Sequence, residues 1–157
     1  MNIEIHLKEK SSVGKYLNNY INYTDTTSSQ YTEDWMIAGR FVIRIKDKMF
    51  IMEERTIVFF VVTLSNAIQE TFKEKQESYI ALSSDDGNYL EMILQEEHIL
   101  IRNASDQIVV SKEEFYMKTI CLFESFMEWL LTAKPDESYL EILSDLIRPL
   151  KKQIQLP

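Results

Sequence analysis

A chain of 157 residues has the usual length of one domain, and folding at that size hides roughly 70% of the surface an unfolded chain exposes, so no disulfide or metal staple is required. Hydrophobic residues at 45% and charged residues at 27% exclude a disordered or fibrous chain, and 3 Gly with 3 Pro leave little room for linkers. The formal net charge of -8 disfavours a nucleic-acid binder or an anionic-membrane binder, whose electrostatic footprint would be basic.

The opening residues alternate Ile3, Ile5 and Leu7 with Asn2, Glu4, His6 and Lys8, the period of a strand with one buried face. Residues 11–23 place Val13, Tyr16, Leu17, Tyr20 and Ile21 at helical spacing and predict a short helix, with Gly14 and Asn18-Asn19 working against it. Thr24 to Gln30 is a polar loop. From Trp35 to Lys46 the pattern turns to strand, with Phe41, Ile43 and Ile45 on one face and Arg40, Val42 and Arg44 on the other. Asp47-Lys48 then predicts a turn into Met49 to Met52, closing a hairpin.

Ile57, Val61, Leu64, Ile68 and Phe72 form a stripe that predicts a largely buried helix over about 56–74. The β-branched run Ile57 to Val62 also fits a central strand feeding a helix from Leu64. Strands follow at Ser78 to Ser83, Tyr89 to Gln95, His98 to Arg102 and Gln107 to Val110, with turns at Asp85-Asp86-Gly87-Asn88 and Asn103 to Asp106. Ser111 to Glu114 matches a capping box. The helix it opens carries Phe115, Thr119, Leu122, Phe126, Trp129 and Leu130 on one face and stops before Lys134-Pro135. A last helix starts at Asp136 with Tyr139, Leu143, Leu146, Ile147 and Leu150 inward. The order predicts one α+β globular domain over residues 1–157, an antiparallel meander sheet of about five to seven strands with helices packed on one face.

Catalytic and cofactor chemistry finds few residues to work with. The two histidines, His6 and His98, sit inside predicted strands and read as structural or surface groups. The isolated Gly14, Gly39 and Gly87 form no phosphate loop, and no Cys/His cluster has zinc spacing. Asp85 to Asn88 lacks the alternation and terminal Glu of a calcium loop and reads as a hairpin turn. The neighbouring carboxylates Glu53-Glu54, Glu96-Glu97 and Glu113-Glu114 cannot readily share one proton when strand residues alternate between faces. Cys121, in the run Ile120-Cys121-Leu122-Phe123, predicts a small buried hydrophobe. The expectation is a non-catalytic protein with no cofactor and no metal. The N-terminal alternation is unlike a signal peptide and no apolar run approaches a membrane span, so a cytoplasmic address is expected.

The charge is uneven along the chain. Residues 1–76 hold 10 acidic and 10 basic side chains, residues 77–147 hold 15 against 4, and the tail adds Arg148, Lys151 and Lys152. Glu124 and Glu128 lie four apart, as do Glu137, Glu141 and Asp145, and like charges at that spacing cost a helix local stability. With Glu96 and Glu97 they are the candidate contacts for a basic protein partner, since opposite potentials steer encounter; the solvated face of an ordinary acidic protein is the competing reading.

The succession Gly39 to Phe50, a helix, Tyr79 to Leu94 with its acidic turn, and Ile108 to Phe115 leading into a helix ending Glu128-Trp129-Leu130 resembles small families grouped with the immunity proteins of bacterial polymorphic-toxin systems. The resemblance covers residues 35–131 and rests on element order and hydrophobic pattern. It implies a single-domain cytoplasmic protein that binds a cognate toxin and blocks it, without catalytic residues. The alternative is a protein-interaction or regulatory subunit.

Overall fold

The computed structural model describes residues 1–31, 37–71, 76–84 and 87–133, together with Glu141, Asp145 and Arg148. Among the described residues, eight strands divide into two antiparallel four-stranded sheets. The first is built from β1 (Asn2–Lys10), β2 (Tyr16–Asn22), β3 (Gly39–Ile45) and β4 (Lys48–Glu54), in the order β2-β1-β3-β4. Helix α1 (Ile57–Thr71) leads from it to β5 (Ser78–Ser83), β6 (Tyr89–Leu94), β7 (His98–Arg102) and β8 (Gln107–Ser111), a meander paired in chain order, and α2 (Lys112–Ala133) follows. The α+β class and the antiparallel meander are as the sequence predicts. The strands form two sheets of four, where one sheet of five to seven is expected.

In the first sheet the registers Ile5, Phe41, Met52 and Ile3, Ile43, Phe50 align buried side chains on one face. That alignment also fixes the β3–β4 turn. The bend falls at Lys46-Asp47, with Ile45 opposite Lys48, one residue earlier than expected. A slip of one would carry Phe50 and Met52 to the wrong face. The turn places Lys46 in the left-handed region at φ 55°.

Residues 11–23 are not the expected helix. Ser11 to Lys15 reverse the chain around Gly14, at φ 80°, and Tyr16–Asn22 pairs with β1 so that Leu7 faces Ile21 and Lys8 faces Tyr20. A left-handed glycine belongs to a turn, and the aromatic and β-branched residues after it suit a strand once a partner is present. The polar segment that follows is two 3₁₀ turns, Tyr23–Asp25 and Ser28–Tyr31, held by the buried rings of Tyr23 and Tyr31. Tyr31 Oη donates to the Lys8 carbonyl at 2.9 Å and Tyr23 Oη to Ser125 Oγ at 2.8 Å.

Residues 57–71 form a helix, the first of the two alternatives, with Ile57, Val61, Leu64 and Ile68 buried; Phe72 lies outside the described residues. Val58 and Phe60 are buried too, so β-branched residues here fill a core contact and propensity yields to packing. The buried hydroxyl of Ser65 donates to the Val61 carbonyl at 2.7 Å.

Helix α2 begins with half of the capping box: the Glu114 amide donates to Ser111 Oγ at 3.3 Å, whereas the Glu114 carboxylate faces Lys118 Nζ at 3.3 Å rather than reaching back to Ser111. Phe115, Tyr116, Thr119, Ile120, Phe123, Phe126 and Leu130 are buried, and Leu122 and Trp129 are partly so. The stripe is thus centred on Ile120 and Phe123, turned slightly from the predicted face. Cys121 is exposed, contrary to expectation. It shares the outward side with Met117 and Ser125, because an apolar run of four in a helix wraps the whole circumference. The expected last helix lies outside the described residues apart from Glu141, Asp145 and Arg148, which are helical and exposed.

One hydrophobic cluster gathers residues of both sheets and both helices. Phe41 of β3 meets Phe60 of α1 at 5.2 Å and Phe123 of α2 at 6.2 Å between ring centroids. At the start of β3, a Cβ on Gly39 would stand 2.7 Å from the His6 carbonyl oxygen and 3.1 Å from Ile57 Cβ. Gly39→Ala should therefore cost about 1–3 kcal/mol through overpacking, read as a lower urea midpoint with an unchanged slope; an unchanged midpoint would contradict the close approach of β1 and α1 at this residue.

Candidate functional site

The second sheet buries Ile80, Leu82, Leu90, Met92, Leu94, Ile99, Ile101 and Val110 against the core. Alternation turns the intervening residues outward. Tyr79 pairs with Ile93, Ile93 with Leu100 and Leu100 with Val109, so four large side chains form one straight row across all four strands. Tyr79 is 55% exposed and Val109 59%, with Ile93 and Leu100 half-buried between them, and Tyr89 is 44% exposed further along the same face. An antiparallel sheet with one wet face ordinarily carries polar residues there, and a contiguous exposed apolar patch marks an interaction surface.

The neighbouring row is Ala81, Glu91, Arg102 and Gln107. Tyr79 Oη donates to Glu91 Oε1, and Arg102 Nε donates to Glu91 Oε2. The Tyr79 hydrogen bond, followed by that of Arg102, holds the Glu91 carboxyl below its ordinary range. The bond to Glu91 in turn pushes the Tyr79 phenol up, so it stays a neutral donor. This network fixes the outermost ring of the apolar row.

The segment that carries the face is acidic. Residues 76–111 contain seven carboxylates and a single Lys or Arg, Arg102, whose charge is met by Glu91. Glu77 is exposed just ahead of β5, and Glu96 and Glu97 are exposed in the β6–β7 turn. That turn is tied to the start of α2, where the Lys112 amide donates to the Glu97 carbonyl at 2.9 Å. At the opposite end Asp106 lies 3.7 Å from Lys48 Nζ.

The other predicted contact residues are dispersed. Glu128 is exposed and Glu124 half-buried on α2, and at 1.5 Å per residue they lie roughly 18 and 24 Å along the helix from its start beside Glu97. Glu141 and Asp145 are exposed; Glu137 lies outside the described residues. Among the described residues of that set, Glu96 and Glu97 lie in the turn that joins the strands carrying Ile93 and Leu100. Tyr79, Ile93, Leu100 and Val109 are not among the residues that the sequence pattern singles out. Their signal lies in the continuous runs Met92-Ile93-Leu94, Ile99-Leu100-Ile101 and Ile108-Val109-Val110, which carry apolar residues on both faces of a meander.

Titratable groups also converge on the outer face of the first sheet. Arg40 Nε donates to His6 Nδ1 at 3.2 Å, so the ring proton sits on Nε2, 2.5 Å from Glu4 Oε2. Asn2 Nδ2 donates to Glu4 Oε1 at 2.6 Å, and Arg40 stacks over Tyr20 at 4.6 Å. Both ring nitrogens of the buried His6 are engaged, whereas a general base needs a lone pair directed at a substrate. Among the described residues no group of three His, Cys, Asp or Glu is placed to hold a metal ion, and no helix is long and apolar enough to cross a membrane.

The Glu91 network generates a pH dependence. A depressed folded-state value means that its contribution to stability is present above the ordinary glutamate range and is lost as pH falls through the depressed one. Acid titration followed by the Glu91 carboxyl carbon signal should give a midpoint below the ordinary glutamate value, with the Tyr79 ring signals shifting in step. Glu91→Gln should flatten the acid side of the stability curve; identical curves for the two proteins would show that the bonds contribute nothing.

No protein-family model, curated protein or solved structure matches the chain.

Proposed function

We propose that this chain is a non-catalytic bacterial binding protein that seats on a basic protein partner and neutralises it, as an immunity protein does its toxin. The observation that carries the reading is the exposed cross-strand row from Tyr79 to Val109 set within a segment holding seven carboxylates and one Arg. Apolar area supplies adhesion, and a surplus of 11 acidic side chains over residues 77–147 supplies a field that accelerates encounter with a positive surface. A nucleic-acid-cleaving toxin presents such a surface, since its own substrate is an anion. Glu96, Glu97, Glu124, Glu128, Glu137, Glu141 and Asp145 form the steering set, and the cytoplasm is the compartment in which the complex forms.

The tagged chain is purified from its native host, and association with the protein it retains is measured at low and high salt. The expected partner is basic. Reversing Glu96, Glu97 and Glu128 together should slow association about tenfold at low salt and flatten its salt dependence, with little change in dissociation, because rim charges act through steering. Recovery of the chain alone, or a partner whose association ignores both salt and the reversals, would remove electrostatic neutralisation. The second outcome would favour a regulatory subunit held by the apolar row.

A further inference from the structure

Resting on that reading, we infer where the partner sits: its basic surface carries apolar side chains that lie over Tyr79, Ile93, Leu100 and Val109 on the outer face of the second sheet, with its lysines or arginines toward Glu77, Glu96 and Glu97. Other exposed large hydrophobics, Val13, Leu17, Met49, Phe59, Met117 and Leu131, are spread over other elements, as single surface hydrophobes ordinarily are. Among the described residues this face alone aligns four in register. The charge around it selects the occupant. A second copy would bring the same carboxylates against one another, which costs binding energy, and an anionic lipid surface or a nucleic acid would meet the same repulsion. A cationic, partly apolar protein surface meets complementary groups on both counts.

Tyr79 is the anchor of this surface. Tyrosine is enriched among residues that dominate interfaces, and a ring held by its bond to Glu91 loses little freedom when covered. Glu91 and Arg102 are positioning residues that hold the anchor in place.

The full-length, isotope-labelled chain is titrated with three peptides of equal length, alternating Lys with Leu, Lys with Ser, and Glu with Leu. The Lys/Leu peptide should shift the amide signals of Tyr79, Ile93, Leu100 and Val109 and bind at least tenfold more tightly than either control. Tyr79→Ala and Val109→Ser, both at exposed positions, should each weaken it about tenfold while leaving the remaining spectrum intact. Shifts centred elsewhere, or variants that bind as the native chain does, overturn the placement. Equal binding of both Lys peptides, lost when Glu96 and Glu97 are reversed, removes the apolar face and leaves electrostatic neutralisation standing. No binding by either Lys peptide overturns the inference, and the partner recovered from the host then decides the broader reading independently. Dimers dispersed by Val109→Ser would assign the face to a second copy instead.

Discussion

The seating of one aromatic helix face against both sheets is the interaction on which the rest of the structure depends. Helix α2 packs on β1, β7, β8 and α1. Its Phe123 meets Phe41, its Tyr116 hydroxyl lies 3.1 Å from Thr71 Oγ1 of α1, and Phe126 and Trp129 stack at 5.7 Å with Tyr23 edge-on to both. A fully buried ring of this kind contributes roughly 1.5–3 kcal/mol, a large share of the roughly 5–15 kcal/mol that separates a folded domain from its unfolded chain. The same seating decides which face of the second sheet is free. Val110 is drawn into the core one residue before the α2 cap begins at Ser111, and the strand period then turns Val109 outward. Registration across β7 and β6 carries that orientation to Leu100, Ile93 and Tyr79.

The two sheets treat their outer faces differently. On the first, Asn2, Glu4, His6 and Arg40 satisfy one another, with Arg44 Nε 3.6 Å from Glu4 Oε1 and Tyr20 stacked beneath Arg40. Such a network is complete without a partner and resists being opened, since an unpaired buried donor or acceptor costs about 1–3 kcal/mol. On the second, Glu91 and Arg102 hold Tyr79, while Tyr79 and Val109 at the ends of the apolar row stay exposed. One face is closed by its own chemistry, and the other leaves large apolar side chains exposed.

Elements whose hydrophobic period repeats several times were legible in the sequence: β1, the β3–β4 hairpin, the four-strand meander and the start of α2, while the β-branched run Ile57 to Val62 left helix and strand both open for the start of α1. Residues 11–23 were not, because Tyr16, Leu17, Tyr20 and Ile21 fit helical spacing and only pairing with β1 shows them to be a strand. The exposed Cys121 was misread because a run of four apolar residues does not reveal which one faces water. The candidate site was half legible. The acidic bias and Glu96-Glu97 stand in the sequence, but in Ile99-Leu100-Ile101 or Ile108-Val109-Val110 nothing local says which residue is outermost. Long-range register settles it, bringing residues separated by up to thirty positions into one row.

Distance then divides the roles of the acidic residues. At physiological salt exposed charges are screened beyond about 8 Å, so the carboxylates beside the row and those roughly 18–24 Å along α2 cannot act on a docked partner equally. Glu96 and Glu97 lie in the turn that joins the strands carrying Ile93 and Leu100, and on the proposed reading they are the carboxylates that would pair with cations of a seated partner. Glu124 and Glu128 would, on the same reading, contribute to the field at encounter and little afterwards. Apolar contact has the opposite character, absent at a distance and dominant once water is displaced. On the proposed reading, the distribution of charge along α2 would act on how fast a basic surface arrives and the row from Tyr79 to Val109 on how long it stays, two rates open to separate substitutions.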